Sequence, residues 1–117
     1  MPWPAELRLV PAKDALIVTF ESGGSFTLSA EYLRVESPSA EVQGHSAGQK
    51  KTVPGKRHVK IAFLEPVGNY AVRIGFDDGH DTGLYSWDYL HALGRDQANK
   101  WQAYLSALRA KGLSRDV

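Results

Sequence analysis

The sequence predicts an α+β domain with a mainly antiparallel β-sheet of about 5–6 strands, short helices and a C-terminal amphipathic helix packed on the sheet. Two observations predict this class. Segments with alternating apolar side chains occupy most of the chain and are separated by turns rich in glycine and aspartate. The C-terminal part instead carries apolar residues at helical spacing. Strands followed by helices are typical of a sheet covered on one face.

The N-terminal part predicts three short strands. In the second of them, Leu16, Val18 and Phe20 alternate with residues that would face the other way. Gly23 and Gly24 follow this strand and supply the positive φ angles that a hairpin loop needs. The predicted strand ranges are 6–10, 15–20 and 25–28.

The middle of the chain predicts a second set of strands over 59–67, 70–76 and 82–85. In the first of these, Val59, Ile61 and Phe63 alternate, which predicts that their side chains share one face. Gly68-Asn69 fits a two-residue hairpin turn to the next strand.

Serine residues mark the starts of two predicted short helices. Ser29 is expected to cap the first, and Ser86 the second, which should end at about Leu93 with Gly94 as its stop. A longer helix is predicted over about 96–111. It carries one apolar stripe at spacing i, i+3, i+4 and i+7, formed by Trp101, Tyr104, Leu105 and Leu108.

Composition limits the classes of protein that are compatible with the chain. Its 117 residues are enough for one domain, over 1–117. The absence of cysteine excludes disulfides and thiolate metal sites. A net charge of +1 does not favour nucleic acid or an anionic membrane. The chain has no apolar stretch as long as a membrane-spanning helix, about 20 residues, and no signal-peptide pattern. We therefore expect a cytoplasmic protein without a membrane partner.

The segment over about 36–58, called here the 36–58 segment, is predicted to be a mobile loop, because it is rich in proline and glycine and poor in large apolar residues. Its cations, Lys50, Lys51, Lys56 and Arg57, are candidates for binding an acidic partner or RNA. A Walker A loop is excluded, because Arg57 stands where Ser or Thr must follow the lysine. A solvated loop is the competing interpretation, and nucleic acid is not the expected partner.

A turn rich in ligand-type side chains follows the predicted strand 70–76. Together with His45, its side chains could bind a divalent cation such as zinc or iron. The competing interpretation is a polar β-turn, in which aspartate and glycine are common. Trp87 lies beside the turn and could stack on a ligand, although a core position is more usual for such a residue. The candidate residues of the turn are Asp77, Asp78, His80 and Asp81.

The stretches 68–74 and 76–87, together with 33–42, resemble the gamma-butyrobetaine-hydroxylase-like N-terminal domain family over about residues 6–94. Many members of that family are small stand-alone bacterial proteins of unassigned function. Others are fused to the oxygenase domain of gamma-butyrobetaine hydroxylase or to P-loop carriers of iron–sulfur clusters. The resemblance implies no oxygenase activity, because the catalytic machinery lies in that separate domain.

The resemblance also places a metal site of the family on this chain. In the hydroxylase, three cysteines and one histidine of the domain hold a structural zinc, and the matching positions here are Ser37, Ser39, Val42 and His80. Serine is a poor zinc ligand and valine is none. The resemblance therefore implies that no zinc is bound in the family's way, and no cofactor is expected. We expect His80 to close its turn by hydrogen bonding instead.

The function expected first is a non-catalytic interaction or accessory module with a protein partner, such as a component of iron–sulfur cluster assembly. It would act through the 36–58 segment and the face bearing His80 and Trp87. One alternative is a metal-binding domain that uses His80 with His45 or nearby carboxylates. The other is an RNA- or nucleotide-binding domain that uses the basic residues. Enzymatic activity is not expected, because no nucleophile–base pair can be identified in the sequence.

Overall fold

The computed structural model describes residues 2–116, and for Ala47 its backbone only. In this part of the chain, six strands combine with four α-helices and one 3₁₀ turn at Ala47–Gln49. None of these helices is long and apolar enough to cross a membrane. The elements in chain order are β1 Pro4–Leu9, β2 Ala15–Phe20, β3 Ser25–Ser29, α1 Ala30–Val35, α2 Ala40–Gln43, β4 Ile61–Val67, β5 Ala71–Phe76, β6 Gly83–Ser86, α3 Trp87–Arg95 and α4 Gln97–Ala110.

The strands form two three-stranded antiparallel sheets, β1–β2–β3 and β4–β5–β6. The predicted class and strand number are confirmed, but the prediction of a single sheet is wrong. Each sheet consists of strands that are neighbours in sequence, whereas α1 and the 36–58 segment separate β3 from β4. The sheets approach each other where Ile61 N donates to the Lys13 carbonyl (2.8 Å). Lys13 lies in the β1–β2 turn with φ 63°, so its backbone is not extended and cannot continue a ladder.

The inner faces of both sheets enclose one core together with α1 and α3. The predicted alternation in β2 is confirmed, because Leu16, Val18 and Phe20 are all buried. Two buried tyrosines satisfy their hydroxyl groups inside this core: Tyr32 donates to the Leu93 carbonyl (2.7 Å) and Tyr85 to the Leu33 carbonyl (2.5 Å). The remaining core includes Leu28, Ile61, Val72, Ile74, Phe76 and Leu90.

Both predicted serine caps are confirmed: Ser29 Oγ accepts from Tyr32 N, and Ser86 Oγ accepts from Tyr89 N. The prediction that Gly94 ends the second helix is wrong, because α3 continues to Arg95. Gly94 has a packing role instead. A Cβ at this position would lie 2.3 Å from the ring of Phe26.

Helix α4 forms where the sequence predicts it but packs partly elsewhere. Tyr104 and Leu108 are buried in a second cluster with Val35, against which Val53 and Leu105 also pack. Trp101 is half-buried and contacts both this cluster and the main core. The stripe therefore binds mainly to α1 and the 36–58 segment rather than to a sheet.

The 36–58 segment contains α2 and the 3₁₀ turn and is hydrogen-bonded to distant parts of the chain. Its Gly55 N and Arg57 N donate to the carbonyls of Ser114 (2.9 Å) and Arg115 (3.0 Å), which follow α4. Tyr104 OH donates to the Val53 carbonyl (2.5 Å). The predicted loop thus has short helical turns and fixed partners, and its mobility stays a prediction.

Candidate functional site

The aspartate-rich turn and the serine pair meet around His80. The turn is closed where Phe76 N donates to the His80 carbonyl (2.9 Å) and Gly79 N to the Phe76 carbonyl (3.1 Å). Gly79 has φ 91°, a conformation that side-chain-bearing residues rarely adopt. The local sequence Asp78-Gly79 therefore turns the chain so that the imidazole points back under the 36–58 segment.

The imidazole of His80 is buried, with 4% of its side chain exposed. Burial lowers the pKa of His80, and the Arg34 charge lowers it further, against the opposing effects of Glu41 and Asp78. The ring is therefore neutral at pH 7, with one donor and one acceptor nitrogen. Nδ1 lies 3.3 Å from Glu41 Oε2, and Nε2 lies 2.9 Å from Ser37 Oγ. Because a carboxylate only accepts, Nδ1–H donates to Glu41, and Nε2 accepts from Ser37.

Hydrogen bonds continue from Ser37 to the start of α2. Ser37 Oγ accepts from Ser39 N (3.2 Å), and Ser39 Oγ accepts from Glu41 N (3.2 Å), which caps α2. Thr82 Oγ1 donates to Glu41 Oε1 (2.8 Å) and lies 2.9 Å from Ser39 Oγ. Two serines, one threonine, one carboxylate and one imidazole thus join residues 37–41 to residues 80–82 by hydrogen bonds.

The residues at the family's four metal positions do not fit zinc. Ser37 and His80 are in contact, but Val42 offers only a buried hydrocarbon, and both ring nitrogens of His80 already have partners. Zinc binds thiolate, imidazole and carboxylate groups, and this set provides one of them. His45 is exposed. Among residues 2–116, no three His, Asp or Glu side chains are placed to hold a metal ion.

Ser37, His80 and Glu41 are connected in the order of a nucleophile, a base and an acid. The serine, however, is fully buried. A Cβ added at Gly83 would lie 2.6 Å from Ser37 Oγ, so the backbone of β6 occupies the space in front of the hydroxyl. A substrate carbonyl cannot approach this oxygen in the observed conformation.

Asp78 joins three parts of the site. Arg34 Nε (2.8 Å) and Lys56 Nζ (2.7 Å) share its Oδ2, and His80 N donates to its Oδ1 (3.0 Å). Burial acts to raise the pKa of Asp78, but the hydrogen bonds from Lys56, the His80 amide and Arg34 outweigh it and lower the pKa to about 2. The role of Arg34 could not be predicted from the sequence, because nothing local to α1 indicates a partner beyond β5.

The other predicted residues around the turn also have partners within the protein. Asp77 Oδ1 accepts from Lys60 N (3.0 Å), and Asp81 Oδ2 lies 3.4 Å from Arg73 Nη1. Trp87 is half-buried, and its Nε1 donates to the Asn69 carbonyl (2.8 Å). These contacts tie the turns at both ends of β5 to neighbouring elements.

The four predicted cations do not form one open basic surface. Lys50 pairs with the buried Glu36 (2.7 Å), Lys56 with Asp78, and Arg57 with Asp116 (2.5 Å). Lys51 has no ion pair among the described residues. Of these four cations, only Lys51 therefore offers an uncompensated charge to an extended anion such as RNA.

A different surface, which sequence analysis missed, lies on the outer face of the second sheet. Phe63 is 37% exposed and Leu84 is 45% exposed, and Arg73 lies between them in register with Leu84. The expectation that Phe63 shares the face of Ile61 is wrong, because the β4–β5 register shifts between these two residues. A bulge of one residue reverses the faces that follow it. Phe63, Arg73 and Leu84 are called here the outward patch.

Comparison with known proteins agrees with the resemblance found in the sequence. Residues 7–91 match the family model described as "Gamma-butyrobetaine hydroxylase-like, N-terminal". No match was found among curated proteins.

Several solved structures share the fold. Two proteins solved by NMR in solution are 43% and 49% identical to the chain, each with a TM-score of 0.84. The alignments cover 99% and 98% of this chain, and 91% and 86% of those chains. A crystal structure of a DUF971-family protein of unknown function, from Acidithiobacillus ferrooxidans ATCC 23270, is 37% identical with a TM-score of 0.65. Its alignment covers 78% of this chain and 91% of that one.

Proposed function

The chain belongs to the gamma-butyrobetaine hydroxylase-like N-terminal family, and from this premise we propose that it is a non-catalytic protein-interaction module that docks through the outward patch. The observation that carries the proposal is the arrangement of an exposed aromatic ring, a guanidinium and an exposed aliphatic side chain on one sheet face. Aromatic residues and arginine are enriched at protein interfaces and dominate their binding energy.

Two side chains of the patch, Phe63 and Arg73, have contacts that hold them in place before any partner binds. A Cβ at Gly75 would lie 2.0 Å from the Phe63 ring, so the ring packs directly against the β5 backbone at this glycine. The Arg73 guanidinium stands 4.9 Å from the ring centre and is oriented by Glu65 (2.9 Å). Side chains that are already ordered lose little conformational entropy on binding, which favours affinity.

The partner class that we propose is a P-loop carrier of iron–sulfur clusters, because relatives in the resembling family are fused to such carriers. In a fusion protein, the covalent link keeps the two domains close together. A stand-alone chain can reach the same arrangement only by binding the carrier through an interface. Tyr70, which is 56% exposed at the β4–β5 turn of the same sheet, extends the available aromatic surface.

The proposal is tested by titrating the ¹⁵N-labelled protein with a purified P-loop iron–sulfur carrier from the same cell. The amide resonances of Phe63, Arg73 and Leu84 are expected to shift together. Leu84→Ser should weaken binding about tenfold. Leu113→Ser is the matched control, because Leu113 is 39% exposed at another surface.

Two results would contradict the proposal. One is a saturable complex whose resonance shifts lie away from the outward patch. The other is equal weakening by Leu84→Ser and Leu113→Ser, since this would mean that the substitutions act through general stability rather than contact.

A further inference from the structure

A second surface, remote in sequence from the outward patch, gathers positive charge. Helix α4 and residues 50–52 form the two sides of a groove of about 280 Å³, called here the lysine groove. Lys51 lines one side, and Lys100 lines the other. Lys111 stands at the margin, where its Nζ donates to Thr52 Oγ1 (3.0 Å). None of these three lysines has an ion pair among residues 2–116.

The groove exists because of the residue sizes along one stripe of α4. Lys100, Ala103, Tyr104 and Ala107 follow the spacing i, i+3, i+4 and i+7 and face residues 50–52. The two alanines leave the space open, whereas Tyr104 reaches across and fixes the opposite side through the Val53 carbonyl. Val35 adds an apolar wall. The result is an apolar base with ammonium groups at its edges.

The local charge differs from that of the whole chain. Lys50 and Glu36 also line the groove, and because they pair at 2.7 Å their opposite charges cancel. Lys51, Lys100 and Lys111 then leave three positive charges in excess at one groove, in a chain whose net charge is +1. Positive charge beside low-dielectric walls attracts anions more strongly than the same charge on an open surface.

We propose that the lysine groove binds a small amphiphilic oxyanion, in which a phosphate or carboxylate group is attached to a compact apolar or aromatic body. The oxyanion would lie between the ammonium groups of Lys51 and Lys100, and the apolar body would lie on Ala103 and Ala107. The volume is at the lower limit of typical ligand sites, about 300 Å³, so the ligand is compact. This site is separate from the outward patch and does not depend on the proposed docking.

The test uses the full chain and three probes: phenyl phosphate, benzoate and inorganic phosphate. Each is titrated at low salt against the ¹⁵N-labelled protein, with chloride at equal ionic strength as the blank. Saturable shifts are expected at the amides of Lys51, Thr52 and Ala107. At least one aromatic probe should bind more tightly than inorganic phosphate, and the tighter of the two identifies phosphate or carboxylate as the preferred group.

Two double variants distinguish binding in the lysine groove from non-specific attraction of anions to the protein's positive charges. Lys51→Gln/Lys100→Gln should weaken binding of the aromatic probe about tenfold. Lys13→Gln/Lys60→Gln removes the same number of charges from exposed positions elsewhere and should change affinity less than about twofold. Equal weakening by both pairs, or shifts that chloride reproduces, would overturn the proposal.

Ala103→Leu tests the apolar base while keeping every charge. Ala103 is exposed and helical, so leucine is tolerated there and fills the groove. Binding of the aromatic probe should be lost with an unchanged melting temperature. Unchanged binding in this variant would exclude the groove as the site.

Discussion

The β1–β2–β3 sheet and the 36–58 segment are both joined to the rest of the fold, but by different interactions. The sheet is held by backbone ladders between consecutive strands and by an apolar inner face. The segment has many polar contacts to residues far away in sequence, such as Lys56 with Asp78 and Thr52 with Lys111, beside the apolar packing of Val53 on α4. A chain stretch poor in large apolar residues can thus be tied to distant parts of the fold by a few hydrogen bonds and ion pairs.

The largest loss of stability is expected from a cavity under the β1–β2–β3 sheet. Leu16 is fully buried in the main core. Leu16→Ala should lower the free energy of unfolding by about 2–5 kcal/mol, measured by urea denaturation, because it removes buried methyl groups and leaves a void. A loss below about 1 kcal/mol would mean that the β2 face is not the centre of the core.

The next effect concerns the polar contacts of Asp78. Its pKa falls from an ordinary 3.8 to about 2 in the folded protein, so the unfolded state takes up the proton first as the pH falls. Stability from this group is complete above pH 4 and is lost between pH 4 and 2, by about 2 kcal/mol. Asp78→Asn should remove this part of the acid dependence. If the unmodified protein and the variant lose the same stability between pH 4 and 2, the contacts of Asp78 do not contribute to the acid dependence.

The C-terminal residues offer a matched pair of arginines. Arg115 forms two hydrogen bonds with the buried Glu31 (2.8 and 2.6 Å), whereas Arg57 pairs with the exposed Asp116. Arg115→Ala should cost about 1–3 kcal/mol, because it leaves a buried carboxylate without its partner. Arg57→Ala should cost less than about 1 kcal/mol. If both variants lose the same free energy of unfolding in urea denaturation, the Arg115–Glu31 pair stabilises the fold no more than the exposed Arg57–Asp116 pair.

The smallest effect is expected at His80. Its pKa is lowered from an ordinary 6.5 by burial and by Arg34, so the unfolded state binds the proton more readily. The stability that follows from this difference is complete above pH 6.5 and declines as the pH falls below it. His80→Gln cannot titrate and should show a flatter profile between pH 7 and 5. A decline of the same size in the variant would assign the effect to another group.

Features set by neighbouring residues could be predicted from the sequence. The hairpins, the caps at Ser29 and Ser86 and the turn at Asp78-Gly79 all depend on residues a few positions apart. The face of Phe63 could not be predicted, because the bulge before it adds one residue without changing the sequence alternation. The separation into two sheets also has no local signal.

The candidate site was predictable in part. The resemblance brought Ser37, Ser39 and His80 together, and the structure connects them by hydrogen bonds. The partners of the basic residues were not predictable, because Asp78 and Asp116 are distant in sequence from Lys56 and Arg57. Two of the ion pairs that join the 36–58 segment to the rest of the fold are formed with these distant partners.

Amide hydrogen exchange in the 36–58 segment tests this account most directly. Lys51 N donates to the Val42 carbonyl (2.7 Å), and Gly55 N and Arg57 N donate to the chain after α4. We expect these three amides to exchange much more slowly than in an unstructured peptide. In the Arg115→Ala variant, the amides of Gly55 and Arg57 should lose this protection, whereas the amide of Lys51 should keep it. Exchange of all three at the unstructured rate in the unmodified protein would contradict this account and show a mobile loop.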